Sequence, residues 1–427
     1  MKILHTSDWH LGQSFMGKSR LEEHRLFIDW LANTVTEHDI EAVIIAGDIF
    51  DTSTPPSYAR ELYHECVLRL HALKCVLIVV AGNHDSVSVL NESKNLLATL
   101  DTYVVTQPAW QNGSEAIIEL KDGSGNVSAL VCAIPFLRAR DMVRYEAGQS
   151  GTDKSLQLAD QIQQYYQQQY DLAKSMHDEV PIIGTGHLTM VGGEKTESVR
   201  DIYVGSLESL SPSLLPAFDY LALGHIHKPM PVGGNSNWRY SGSPMPMSFD
   251  EANSPKSVCI YNTHSNSVDR IAIPVFRKLI QMSGKRSDLL KQIEALEDTE
   301  SLSVWLDITV NEDINLGPFQ EKLAELCDGR PIDIVKVQRA RKAATLFDGD
   351  GETATLEDIT PMEVFERLLT ENKKQALRLR CYNTQNDQHD RQAAIGTQPP
   401  RGGSQGNALL LYPNDQIKLH RKHPLAQ

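Results

Sequence analysis

Five short apolar runs recur along the chain, and each one ends on His, Asp or Asn. Lys2–Thr6 leads to Asp8 and His10, and Ala42–Ala46 leads to Asp48 and Asp51. Residues 75–81 lead to Asn83, His84 and Asp85. Residues 182–185 lead to His187, and residues 220–223 lead to His225 and His227. Between the first three runs the period changes to that of a helix. Leu21, Phe27, Ile28, Leu31 and Val35 share one face of residues 20–38, and Leu62, Cys66, Leu70 and Leu73 share one face of residues 58–73. This order, βαβαβ with strands apolar on both faces, predicts a parallel sheet.

From about residue 116 the texture shifts to strands. Residues 116–120 and 127–134 flank Asp122-Gly123-Ser124-Gly125, a hairpin turn. A Gln-rich helix is predicted over 155–177, then strands over 182–185 and 219–223. Residues 238–242, 257–261 and 268–273 are predicted to close a meander, giving two packed sheets with helices outside. Pro274 marks a boundary. Beyond it a small α+β unit is predicted: strands over 276–282, 301–310 and 332–337, helices over 287–297 and 318–327. The expected domains are therefore 1–274, 275–340, a linker and partner-docking helix over 341–380, and a disordered tail over 381–427. Thr360-Pro361-Met362-Glu363 reads as a capped helix start, with Val364, Phe365, Leu368 and Leu369 forming an apolar face behind it. That face suits either a partner or the chain's own domain.

Composition narrows the class. No run approaches the roughly 20 apolar residues of a membrane span, so a membrane location is not expected. Six scattered cysteines with no CxxC pair predict free thiols in a reducing cytoplasm. The formal charge of −14 is unusual for a chain that grips nucleic acid unaided. Either bound metal supplies local positive charge or a partner supplies the grip.

The run ends carry the chemistry. In open α/β sheets ligands bind beyond the C-terminal strand ends. Carboxylate, amide and imidazole donors gathered there, with no Cys among them, suit borderline-hard divalent metals. The turns Gly47-Asp48, Gly82-Asn83-His84-Asp85 and Gly224-His225-Ile226-His227 place Gly where a chain must bend under a ligand. The other histidines, at 5, 24, 38, 64, 71, 177 and 264, are read singly as structural. Metal chemistry also fits phosphodiester cleavage. A metal can lower the pKa of water from about 15.7 to about 7 in the best zinc case, and those roughly nine units correspond to ~12 kcal/mol. A general base alone contributes about 10²–10⁴-fold. His84 beside Asp85 is read as a cationic or proton-donating imidazole near the scissile phosphate, oriented by that carboxylate, both therefore catalytic, with helix N-capping as a structural role Asp85 can hold at the same time.

Asp8-Trp9-His10-Leu11-Gly12, Gly47-Asp48-Ile49-Phe50-Asp51, Gly82-Asn83-His84-Asp85, Gly186-His187-Leu188-Thr189 and Gly224-His225-Ile226-His227 resemble, in order, the motifs of the calcineurin-like metallophosphoesterases. More narrowly, the chain resembles the DNA nuclease subunits of that superfamily over about residues 1–370. The resemblance implies a four-layer αββα sandwich with a capping domain facing DNA. It implies two Mn²⁺ ions, one held by Asp8, His10 and His227, the other by Asn83, His187 and His225. Asp48 would bridge them and His84 would assist catalysis. It further implies double-strand exonuclease and single-strand or hairpin endonuclease activity. The implied partner is an SMC-like ATPase with a long coiled coil, bound to a homodimer within a heterotetramer.

Three other readings compete. Gly12–Ser19 matches the letters of a P-loop, GQSFMGKS, but Asp8–Leu11 separates it from its strand. A small-molecule phosphatase or cyclic-nucleotide phosphodiesterase would keep the metals and change the substrate. A binding module would have lost its metal altogether.

Overall fold

The computed structural model describes residues 1–340 except 111–112, 145–147, 200–208 and 298–301. The linker, the capped helix at 360 and the tail lie outside the described residues. Two six-stranded sheets pack face to face. The first runs in the order Ser267–Ala272, Ser257–Asn262, Lys2–Thr6, Ala42–Ala46, Val76–Val80, Thr102–Val105, and its last four strands are parallel. The second runs Met230–Val232, Asn235–Tyr240, Tyr220–Gly224, Ile182–His187, Val127–Cys132, Ile117–Lys121. Its four central strands are parallel.

Alternation along the strands builds the layers. Val43, Ile45, Leu77 and Val79 pack on helices Leu21–Glu37 and Ser57–Ala72. Their neighbours Ala42, Ile44, Ile78 and Val80 meet Ala129, Val131, Ile183, Tyr220 and Ala222 of the second sheet. Leu130, Ile182, Leu221 and Leu223 pack in turn under helix Gly151–Met176. The result is an αββα sandwich in which both sheets are buried on both faces.

The expected meander does not form. Asn235–Tyr240 joins the second sheet beside Tyr220–Gly224, whereas Ser257–Asn262 crosses to the first sheet and pairs antiparallel with Lys2–Thr6. The main chain thus closes on its own first strand. Gly12–Ser19 is not a P-loop either. It contains a two-stranded hairpin, Ser14–Phe15 with Lys18–Ser19, and Lys18 pairs with Asp333 at 2.6 Å.

Residues 279–339 form a three-stranded parallel sheet with two helices on one face. Leu306, Ile308 and Val310 point to those helices, and Trp305 points the other way onto Phe15 and Phe249. Arg277 ties the junction: its Nε donates to Glu23 at 2.9 Å and its guanidinium lies over the Trp305 ring.

His5 joins the two large sheets near the strand ends through two buried bonds. His5 Nδ1 meets the Tyr220 hydroxyl at 2.8 Å, and His5 Nε2 meets the Leu223 carbonyl at 3.2 Å. Burial pushes the His5 imidazole down to about 3, so it stays neutral. Tyr220→Phe would leave one ring nitrogen unpaired, which costs about 1–3 kcal/mol. The expected outcome is a Tm lower by roughly 2–6 °C with an unchanged fold, read by thermal unfolding.

Candidate metal centre

The backbone at the strand ends is bent hard. Asp8 (φ 54°), His10 (φ 47°), Asp48 (φ 51°) and His225 (φ 98°) all lie in the left-handed region, which non-glycine residues seldom adopt. Four candidate ligands sharing this strain is the pattern of a functional site. The glycines beside them serve close approach. A Cβ on Gly82 would sit 2.1 Å from Asp48 Oδ1, one on Gly47 would sit 2.1 Å from His187 Nδ1, and one on Gly224 would sit 1.9 Å from the Ala46 carbonyl. Gly47 also has φ 93°, but at Gly82 and Gly224 contact alone, rather than the expected sharp bend, excludes a side chain.

Three ends of the first sheet and two of the second bring all seven candidate metal ligands together. Donor atoms of Asp8, His10 and His227 lie within 4.8 Å of one another, as do those of Asp8, Asp48 and His187. His187 Nε2 is 3.2 Å from Asp48 Oδ2 and 2.9 Å from Asn83 Oδ1. The His225 ring stands 5.4 Å from the His187 ring, and His10 stands 5.2 Å from His227. Asp8, His10, Asp48, His187, His225 and His227 are all buried. Nε2 of His10 and Nε2 of His225 are buried with no hydrogen-bond partner among the described residues. Buried polar atoms are normally paired, so two unpaired imidazole nitrogens, that of His10 3.8 Å from Asp48 Oδ2, fit a cation. The residues present therefore suit a divalent metal.

An outer ring of contacts fixes the ligands. His187 Nδ1 donates to the Ala46 carbonyl at 2.9 Å, which turns Nε2 inward. Asp8 accepts the His225 N–H at 2.9 Å and the Ser7 hydroxyl at 2.5 Å. His24 Nε2 holds the Trp9 carbonyl between Asp8 and His10 at 3.0 Å. His227 Nδ1 lies 2.6 Å from Ser198 Oγ and 3.3 Å from Glu251 Oε1. Glu251 is itself buried and paired with Lys256 at 2.7 Å.

Two sequence expectations change here. Asp85 neither caps the next helix nor orients His84. Its carboxylate accepts the N–H groups of Gly82 (2.8 Å), Phe50 (3.0 Å) and Ile49 (3.2 Å), and Ser86 is the N-cap residue. Asp85 thus splices the loop after Ala42–Ala46 to the turn that carries Asn83 and His84. His84 is oriented by a backbone carbonyl instead: its Nδ1 meets the Asp51 carbonyl at 2.7 Å. Glu251, Lys256 and Ser198 were missed, because they lie far from any motif and follow no strand end. Asp51 had a signal in the Gly-Asp-x-x-Asp spacing, and its carboxylate lies 3.2 Å from His10 Nδ1.

Comparison with known proteins places this geometry. The profile described as calcineurin-like phosphoesterase matches residues 1–229. The one described as type 5 capsule protein repressor C-terminal domain matches residues 275–373. The SbcD subunit of nuclease SbcCD from Escherichia coli (strain K12) is 43% identical over 376 residues, covering 86% of this chain and 92% of its own length. The protein of the same name from Bacillus subtilis (strain 168) is 31% identical over 312 residues, covering 72% and 75%. That from Rhodobacter capsulatus is 29% identical over 313 residues, covering 71% and 76%. The chain belongs to the SbcD family. Its SbcD-type centre is thus a metallophosphoesterase site, and divalent metal use follows from the fold and the donor set together.

Charge in this SbcD centre is strongly coupled. Burial alone would lower His187, but Asp48 beside it raises the imidazole to about 9. Burial likewise opposes ionisation of Asp48, yet His187, His10 and His84 hold it well below the ordinary carboxylate range. His225 is pushed well below its usual value by burial and by the His187 charge. A metal that took His187 Nε2 as a ligand would displace a proton from it. At pH 8 the chelated protein is expected to release about one proton on taking up metal, falling away above pH 9. Calorimetry in buffers of different ionisation enthalpy reads this directly, and buffer-independent heats at pH 8 would contradict it. Glu251→Gln, which weakens the hold on His227, is expected to lower metal affinity about 10–100-fold, measured by the same titration.

Proposed function

We propose that the chain is a Mn²⁺-dependent DNA nuclease, both an exonuclease on duplex ends and an endonuclease on single strands and hairpins. It acts as a homodimer with an SbcC-like SMC-type ATPase in the processing of DNA ends for recombination and repair. Convergence of Asp8, His10, His187 and His227 near Asp48 carries this reading, with Asn83 and His225 beside His187, together with relatives named for the nuclease SbcCD. Asp8, His10 and His227 would hold one Mn²⁺, and Asn83, His187 and His225 the other. Asp48 would bridge them, and its Oδ1 accepts the His84 N–H at 2.9 Å.

When bound, two such metals supply Lewis acidity, a clamp on the phosphodiester oxygens and a water acidic enough to attack near neutral pH. The chain does the rest. Burial of the ligands excludes bulk water and strengthens their fields. His84, half-buried and fixed through Nδ1, would as the imidazolium give its Nε2 proton to the leaving oxygen and remain as the neutral Nδ1–H ring. Its ring stands 4.8 Å from that of His10, at the rim of the centre. Asp85 keeps the loop of His84 in register with the loop of Asp48.

The profile match beginning at residue 275 supports a separate unit there, read here as facing DNA, with residues 1–274 as the nuclease domain. Its added sheet favours a macromolecular substrate over a small phosphoester. The formal charge of −14 favours a DNA grip shared with the ATPase. No helix among the described residues is long and apolar enough to cross a membrane, and cytoplasmic action fits the free cysteines.

Cleavage of a labelled hairpin and a blunt duplex tests the reading. The expected result is Mn²⁺-dependent cutting that chelator abolishes and that His84→Ala slows about 10²–10⁴-fold. If the chain alone is silent, cutting should appear with the SbcC-like partner and ATP. Hydrolysis of small phosphomonoesters with no DNA cutting in either setting would overturn it.

A further inference from the structure

The turn Gly82–Asp85 carries Asn83 and His84, so its placement decides two donors at once. Its outer side is held by the segment that follows strand Val127–Cys132 of the other sheet. The Phe136 N–H donates to the Ala81 carbonyl at 2.7 Å, and the Phe136 ring stands edge-on to His187 at 6.4 Å. Arg138 completes the contact. Its Nη2 donates to the Asp85 carbonyl at 2.9 Å and reaches the Gly82 carbonyl at 3.5 Å, the two carbonyls that bracket the turn. Its guanidinium lies 5.5 Å over the Phe136 ring. Nη1 of Arg138 is buried and makes no hydrogen bond among the described residues. A buried, unpaired donor is unfavourable, so this guanidinium is not placed for its own burial.

We propose that Arg138 is a positioning residue of the metal centre: it clamps both ends of the Gly82–Asp85 turn and so sets Asn83 against His187 and His84 against Asp51. The inference rests on the reading of Asn83 as a metal donor. A single cationic nitrogen between two carbonyls fixes the separation of the turn's ends. Neutral amides of shorter reach do not span that gap, whereas an ammonium on a long stem reaches it in part.

Mn²⁺ titration of the chelated full-length chain tests this, with the Tm of the metal-free protein as the fold control. Arg138→Gln is expected to weaken one Mn²⁺ site about 10–100-fold and leave the other unchanged. Asn83→Ala should weaken the same site. The double variant should bind no worse than Asn83→Ala alone, because both changes remove one donor. Arg138→Lys should recover part of the loss, and it stands in if Arg138→Gln does not fold. Parent-like binding by Arg138→Gln beside a weakened Asn83→Ala overturns the role of Arg138, as do additive losses in the double variant. Parent-like binding by Asn83→Ala itself overturns the metal assignment, and this inference with it.

Discussion

Two carboxylates, Asp8 and Asp48, are buried almost completely at one point between two sheets, with relative exposures of 0% and 2%. An isolated buried charge is very unfavourable, and a buried pair needs compensation of opposite sign. Four buried imidazoles stand around these carboxylates, and Asp48 raises His187 to about 9. Protonated imidazole supplies part of the compensation. It also leaves donors unpaired on His10 and His225, which a divalent cation would engage. The site is therefore electrostatically arranged for metal before any substrate arrives.

Much of the surrounding structure serves that point. Left-handed backbone at four candidate ligands costs of order 1–3 kcal/mol each and persists only where neighbours over-determine it. The over-determination is visible. Asp85 receives three backbone donors from two loops, His24 holds the Trp9 carbonyl, and His5 bonds across to Tyr220. Strand Ser257–Asn262 then locks the outer side of Lys2–Thr6, the strand that delivers Asp8 and His10. Rigid sheets carry the ligands, while loops drawn together by Gly47, Gly82 and Gly224 set their separation.

Much of this was legible in the residues. The strands that bear ligands are apolar on both faces because each lies between a helix layer and a sheet, so their runs stand out. The ligands stand out because a polar donor directly after such a run has no place in a core. The partners of those ligands were not legible. Nothing local distinguishes residues 235–240, which stay in the second sheet, from residues 257–262, which cross to the first. Likewise the Glu251–Lys256 pair reaches His227 through tertiary contact alone. Asp85 misled because adjacency in sequence was taken for adjacency in space. Both side chains reach the loop that follows Ala42–Ala46, but Asp85 accepts the Ile49 and Phe50 N–H groups whereas His84 meets the Asp51 carbonyl. The division of the donors between two metals came from family resemblance, not from spacing.

The added sheet at residues 279–339 meets the nuclease body through Trp305, Arg277 and the Lys18–Asp333 pair, next to the hairpin that follows His10. The proposed chemistry depends on whether Asp48 stands between two metals. Anomalous diffraction from crystals grown with Mn²⁺ tests this most directly. The account predicts two peaks about 3.5–4 Å apart, with the Asp48 carboxylate between them. A single peak, or two peaks that do not share Asp48, would contradict it.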